Sequence, residues 1–333
     1  MERVLIGSVA PSVSVVIPTY RRKASVERAL GALCAQSFPA HQFETIVSID
    51  GSEDGTRESV AAFSAPYAVR GIWRPNRGRA AACNAGIREA RGELVVLLDD
   101  DMEPEPQFLE CHVRAHASGK ARGVLGAVPV AIGPESPAVA RFIADRFARH
   151  LEKLERPGNE IGIRDFYSGN FSIPRDLILR VGLFDERFKE YGNEDGELAI
   201  RLLEAGVELT YCAAALARQH YQKDFPALAR DKIAAGRTSV VSALTHPESV
   251  PRMRIGTYRR SALKWRLLRA VLLVASQPLR FLPNWIMGYV GRLEQRRSPR
   301  LQASYDLALD YFYWLGVRSA LREYPEARSR LAL

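Results

Sequence analysis

A rhythm in the first hundred residues constrains this chain more than any other feature. Four strand-like runs, at 13–18, 43–49, 69–73 and 94–98, the third weaker and the fourth unbroken in its apolarity, are set apart by helix-length stretches. The segments between them, 25–36, 56–62 and 80–90, have helical periodicity. Continuous rather than alternating apolarity suits strands covered on both faces of a parallel sheet. Strands joined by such helices imply right-handed βαβ units. Ligands of these sheets sit at the carboxyl ends of the strands, so the chemistry is expected there.

Two strand ends bear carboxylates. The second run stops at Asp50-Gly51-Ser52-Glu53-Asp54-Gly55, which reads either as a ligand contact or as a glycine-rich turn capping a helix. The fourth stops at Asp99-Asp100-Asp101. Three adjacent aspartates at the end of a buried strand repel one another unless a cation neutralises them. Oxygen-only donors suit Mg²⁺ or Mn²⁺, with a substrate diphosphate completing the coordination. A solvated acidic turn and a phosphoacceptor pocket are the plainer alternatives.

Beyond residue 115 the pattern changes. A strand is expected at 123–130, an amphipathic helix at 137–155 and a turn-and-strand segment at 167–175. Glu194 and Asp195 stand at the start of a helical pattern that continues through Leu198 and Leu202. A helix N-terminus favours an ionised carboxylate, so capping and catalysis both account for them.

Composition narrows the class. With 47% hydrophobic and 26% charged residues in 333, the chain is neither disordered nor fibrous. Four cysteines, far apart and without a CxxC pair, argue against a zinc ribbon or a disulfide scaffold and for a reducing compartment. The net charge of +9 is unevenly placed: residues 251–333 hold 16 Lys and Arg against 5 Asp and Glu, and the rest is slightly acidic. Helices are expected in this tail at 227–243, 261–275, 283–293 and 303–324, with Trp265, Trp285 and Tyr289 among the arginines. The mixture suits an anionic membrane surface, or a helical subdomain that solvates its arginines. No nucleic-acid recognition motif accompanies the charge, so a nucleic-acid partner is not expected. No apolar run reaches the roughly 20 residues of a spanning helix. Met1-Glu2-Arg3 opens no convincing leader, since Pro11 and Pro18 punctuate the apolar stretch that follows. A cytoplasmic protein, peripheral on the inner face of the membrane, is the expectation.

The motifs in order resemble family 2 glycosyltransferases with a GT-A fold. They are Val13-Ser14-Val15-Val16-Ile17-Pro18-Thr19-Tyr20, Asp50-Gly51-Ser52, Asn76-Arg77-Gly78, Ala80-Ala81-Ala82-Cys83-Asn84-Ala85-Gly86 and Asp99-Asp100-Asp101. Gly169-Asn170, Gly182-Leu183-Phe184-Asp185-Glu186 and Glu194-Asp195 follow. Cys83 departs from the pattern, where the family often has arginine. The resemblance implies an α/β fold with a mostly parallel sheet flanked by helices and a C-terminal helical extension. It divides the chain into a nucleotide-sugar half at 1–115, an acceptor half at 116–225 and the basic helical region at 226–333.

The same resemblance implies roles. Pro18, Thr19, Tyr20 and Arg21 would line the nucleotide pocket, with Asp50 on a uracil ring, Asn76 and Arg77 along base and ribose, and Arg79 near phosphate. Asp99 would face ribose or metal and Asp101 would ligate the metal, Mn or Mg. Asp100, pointing to the opposite side if strand alternation continues, is the weakest ligand of the three and counts with the nucleotide contacts. His220 would complete the metal site, or be a packing residue. Gly169, Asn170 and Glu194 would meet the acceptor, with Asp195 the base of an inverting displacement. The donor would be a nucleotide sugar, most simply UDP-linked, and the acceptor a glycan, a lipid-linked sugar or a small molecule. The rivals are an inactive nucleotide-sugar or membrane-binding scaffold and a sugar-phosphate nucleotidyltransferase. The latter would need a glycine-rich phosphate loop where Ile17-Pro18-Thr19-Tyr20 stands.

Overall fold

The computed structural model describes residues 11–117, 122–260 and 262–327. The leader question falls on the first ten residues, outside the described ones. The chain opens with β1 (Val13–Thr19), α1 (Lys23–Leu33), β2 (Phe43–Asp50), α2 (Thr56–Ala62), β3 (Ala68–Arg74), α3 (Arg79–Glu89) and β4 (Leu94–Leu98). Then come β5 (Met102–Pro104), α4 (Phe108–Ala115), β6 (Arg122–Gly126), α5 (Ala138–Leu154), β7 (Asn170–Pro174) and α6 (Arg175–Val181). α7 (Glu194–Glu204), β8 (Glu208–Cys212) and β9 (Ala217–Gln219) complete the sheets, and α8 (Phe225–Thr245), α9 (Leu263–Ala275), α10 (Leu282–Gln295) and α11 (Leu301–Glu323) form the tail.

Seven strands form one sheet in the order β3-β2-β1-β4-β7-β6-β8. The first four are mutually parallel; β1, β2 and β4 are buried along their whole length, whereas β3, with Arg70 and Arg74, is a half-exposed edge strand. β7 runs antiparallel to both β4 and β6, which makes the sheet mixed. β2 lies on one side of β1 and β4 on the other, so the chain reverses its winding there and leaves a crevice at their carboxyl ends. Pro18 fits a central strand because the pairing of β1 with β4 ends at Val16, and its missing N–H costs no bond on that side.

Each face of the sheet has its own core. Val13, Val15 and Ile17 face one cluster with α1 and α4; Val16 faces the other with α3, α6 and α7. The run Ala80-Ala81-Ala82 and Gly86 explains how α3 comes so close. A Cβ on Gly86 would lie 2.3 Å from Val16 Cγ1, so only a glycine-width surface fits. The second cluster includes Val16 and Val95 as well as Leu125 and Phe171, so one core spans residue 115.

The tail is fastened to this body. α8 and α11 pack with glycine at the contact: a Cβ on Gly236 would meet the Tyr313 carbonyl at 2.0 Å, and one on Gly316 the Ile233 carbonyl at 2.0 Å. α8 also holds the loop before α7, since Asn193 Nδ2 donates to the Ala235 carbonyl and to Thr238 Oγ1, both at 2.7 Å. Asn193 itself is left-handed, with φ 69°.

Candidate active site

The crevice is built from the ends of β1, β2 and β4, the start of α3, the segment entering β7 and the start of α7. Arg79, the first residue of α3, sits at its centre. Its Nη2 donates to Asp99 Oδ1 at 2.6 Å, while its Nη1 donates to Ser168 Oγ at 2.9 Å and to Asp195 Oδ1 at 3.3 Å. Glu194 Oε1 lies 3.8 Å from the same nitrogen. Burial disfavours the guanidinium charge, but the carboxylates, Asp99 foremost, outweigh it and hold the pKa well above the ordinary value. One cation therefore ties the donor-side strand end to the helix bearing Glu194 and Asp195.

Asp195 is held from two sides. Ser168 Oγ donates to Oδ1 at 2.5 Å and the Ser168 amide to Oδ2 at 3.3 Å. Glu194 is more deeply buried, and its Oε2 has no hydrogen-bond partner. Burial, with repulsion from Asp195 added and the pull of Arg79 against it, pushes its pKa up to about 7. Oε2 is also closed to solvent, so in this arrangement Glu194 acts on Asp195 and Arg79 beside it rather than on an incoming hydroxyl.

The three aspartates do not follow strand alternation. β4 ends at Leu98, and the Met102 amide bonds back to the Asp99 carbonyl at 3.1 Å, so 99–101 form a turn. Asp99 turns to Arg79, while Asp100 and Asp101 share Arg22 Nη1 at 2.9 and 3.1 Å. The expectation that Asp100 stands opposite Asp101 is thus corrected: a turn, unlike a strand, does not alternate its side chains. Asp100 also accepts from Thr19 Oγ1 at 2.7 Å, which links the ends of β1 and β4. Burial raises Asp100 to about 6 against the pull of Arg22, and burial with repulsion from Asp99 raises Asp101.

Asp50 faces the opposite wall of the crevice. Its carboxylate accepts from the amides of Arg77 and Gly78 at 2.9 and 2.8 Å, and its carbonyl accepts from Asn76 Nδ2 at 3.0 Å. The loop 76–78 is therefore shaped by Asp50. Gly51, at φ +77°, is required because a Cβ would lie 2.7 Å from the Asn76 nitrogen. Arg21 is left-handed at φ 53°, donates its amide to Ser52 Oγ at 2.7 Å, and lies over the half-exposed ring of Tyr20. Arg77 reaches Glu186 at 3.5 Å.

Gly169 and Asn170 do not have the same kind of environment. A Cβ on Gly169 would lie 2.4 Å from Asp99 Oδ2, so the glycine lets Asp99 close against β7. Asn170 is fully buried, donating to the carbonyls of Ala127 and Ala215 and meeting His112 Nε2 at 2.8 Å. His112, pushed down to about 4 by burial, is a neutral partner. With its polar atoms engaged inside, the Asn170 side chain braces β7 from behind; an acceptor contact through it does not fit.

His220 is brought beside the aspartates by a ribbon the sequence pattern did not reveal. β5 and β9 pair antiparallel, and the His220 amide donates to the Asp101 carbonyl at 2.8 Å. Its ring turns instead to Glu103 Oε2, 2.5 Å from Nε2. As they stand, Asp99 and Asp101 are paired with Arg79 and Arg22, and one oxygen of this set is left over for a cation. Asp101 Oδ1 is buried without a hydrogen-bond partner, and Asp99 raises the cost of its charge. Among the described residues, the three metal-type groups with ligand atoms within 4.8 Å of one another are Glu204, His246 and Glu248, away at the far end of α7.

Arg22 and Ser168 were missed in the sequence. Nothing in the local pattern marks Arg22, whereas Ser168 stands directly before Gly169-Asn170. Other motif residues fasten rather than react. Asn84 exchanges hydrogen bonds with the backbone of Phe184 at 2.9 Å in both directions, joining α3 to the Gly182-Leu183-Phe184 turn.

A switch-point crevice lined by paired carboxylates and arginines is a ligand site of an open α/β sheet. The profile described as glycosyl transferase family 2 matches residues 14–188, just over half the chain, so the chain belongs to that family. It is 32% identical over 226 residues to validoxylamine A glucosyltransferase of Streptomyces hygroscopicus subsp. jinggangensis (strain 5008), covering 60% of this chain and 53% of that one. Over 206 residues it is 29% identical to glycosyltransferase AglE of Haloferax volcanii, covering 61% and 65%. The chain thus spans about half the length of the first relative and under two thirds of the second. The fold is GT-A, as in the mannosyltransferase PcManGT from Pyrobaculum calidifontis, solved with GDP-Man and Mn²⁺ (TM-score 0.58, 20% identity, 92% and 88% coverage). S. aureus TarS 1–349 with UDP is a further neighbour (TM-score 0.54, 16% identity, 94% and 92% coverage).

Proposed function

We propose that the chain transfers a sugar from a nucleotide sugar to an acceptor hydroxyl with inversion at the anomeric carbon. The observation that supports this most is Arg79, which joins Asp99 on the donor side to Asp195 and Glu194 on the acceptor side. The acceptor oxygen forms a bond to the anomeric carbon as the bond to the diphosphate breaks, and its proton passes to Asp195. Ser168 orients that carboxylate for the transfer, and Glu194, buried beside it, is the base-orienting contact. A divalent metal held by Asp101 and Asp99, with His220 turned from Glu103, would stabilise the negative charge on the departing diphosphate.

The donor is UDP-linked in this reading, with Asp50 on the base and Thr19, Tyr20, Arg21, Asn76 and Arg77 around the nucleoside. Neighbours solved with UDP, with UDP-GlcNAc and with GDP-Man support a nucleotide-sugar donor. A glycan, a lipid-linked sugar or a small molecule is the acceptor. Residues 1–115 would form the donor half, 116–225 the acceptor half and 226–333 the basic helical region.

Thermal denaturation with UDP, GDP, dTDP and CMP, each with and without Mn²⁺, tests the donor, because a ligand of the folded state raises the midpoint. A Mn²⁺-dependent rise with UDP alone supports the assignment; no rise with any nucleotide overturns it.

A further inference from the structure

The largest apolar display lies on the tail. Of fourteen large apolar side chains exposed among the described residues, ten fall within 263–289. They form a stripe. Leu267, Val271 and Val274 follow one face of α9, and Phe281, Trp285 and Tyr289 recur every four residues through α10. Trp285 and Tyr289 stack at 5.6 Å with their planes 8° apart. The opposite faces attach the pair to the body. Leu272, Leu273, Ile286 and Val290 pack in the tail core, and Arg269 is buried against Asp310 at 2.8 Å. The outward face is left without a protein partner among the described residues.

Its charge identifies the occupant. Residues 261–300 hold eight Lys and Arg against a single acid, Glu294, which accepts from the Tyr305 hydroxyl. Arg280, Arg292, Arg296 and Arg297 are exposed around the apolar stripe. A second copy seated on this face would set one basic rim against another, which disfavours a symmetric dimer. α9 is 13 residues long, about 20 Å at 1.5 Å per residue, and no described helix is long and apolar enough to cross a membrane. An apolar stripe with an arginine rim suits a helix lying in the headgroup plane.

We propose that α9, the turn at 276–281 and α10 form a surface that docks on a bilayer rich in anionic lipid. The apolar stripe enters the acyl boundary while the arginines meet phosphate headgroups. The proposal stands independently of sugar transfer, since none of these residues lines the crevice.

Co-sedimentation of the full chain with phosphatidylcholine vesicles, with and without phosphatidylglycerol, tests it. Binding is expected only with phosphatidylglycerol and should weaken as salt rises. The pair Val271→Glu and Trp285→Glu should lower partitioning by at least about tenfold, and Arg292→Gln with Arg296→Gln by on the order of tenfold. Circular dichroism checks that each exposed-surface variant is folded. Absence of binding to both vesicles, equal binding to both, or undiminished binding of the glutamate pair would overturn the proposal. So would a wild-type dimer, seen by light scattering, that the glutamate pair dissociates.

Discussion

The crevice and the α9–α10 surface both concentrate charge, and they handle it in opposite ways. In the crevice, Arg22 and Arg79 are partly buried and each neutralises at least two carboxylates within a few ångströms. On α9 and α10 Arg269 turns inward to Asp310, while the exposed Arg280, Arg292, Arg296 and Arg297 stand in solvent near the exposed aromatics. Balanced charge can be held inside, where its geometry serves chemistry. Unbalanced charge stays in solvent, where it acts at long range on an oppositely charged surface.

Substitutions should separate the two regions. The largest effect is expected from Asp195→Asn, which keeps a partner for Ser168 but removes the base. Turnover should fall by roughly 10²–10⁴-fold while nucleotide binding persists. Full turnover with donor and acceptor would remove Asp195 from the mechanism. Arg79→Met leaves Asp99, Glu194 and Asp195 without their shared cation, and ~3–5 kcal/mol of stability should be lost in denaturant titration. The loss should be larger at pH 8 than at pH 5, where fewer carboxylates are ionised; a loss independent of pH would show that packing, rather than charge, is at stake.

Gly316→Val, at the contact of α11 with the Ile233 carbonyl, should cost about 1–3 kcal/mol by overpacking. An unchanged melting temperature would mean that α8 and α11 do not pack as closely as described. Glu194→Gln should change the pH dependence of stability. The folded pKa of Glu194 is raised above its unfolded value, so its stabilising contribution is present below about 4.5 and is lost as pH rises through about 7. The variant should therefore gain melting temperature relative to wild type at pH 8 but not at pH 4; parallel pH curves would refute the burial cost. The smallest effect is expected at Val274→Ser on the exposed stripe, within about 0.5 kcal/mol in water. A larger loss would mean that this face is covered.

The legibility of the chain follows the range of the forces involved. β4 was readable to the residue, and α1, α3, α5 and α8 to within a few residues, because apolar periodicity and small-residue runs are local. The short β5–β9 ribbon was not readable. Its three-residue strands have no periodicity of their own and exist because Met102 meets Gln219 across more than a hundred residues. Asp50, Asp99 and Asp195 could be singled out from strand ends, a helix start and ordered motifs. Arg22 could not, because its role depends on how β1 and β4 lie side by side. Asn170 belonged to a motif, yet its burial beside His112 assigns it a bracing role.

The sequence alone determined which segments become the first four strands, where carboxylates collect and that the tail is basic, since these depend on neighbours along the chain; that β3 is a half-exposed edge was set by the sheet order. Tertiary structure alone decided that β7 runs antiparallel, that Asp99 and Asp100 face different arginines, and that α8 holds Asn193 at the start of α7. It also decided which faces of α9 and α10 pack inward. These outcomes require distant segments to compete for the same hydrogen bonds, cations and apolar surface, and that competition is resolved only when the chain is closed on itself.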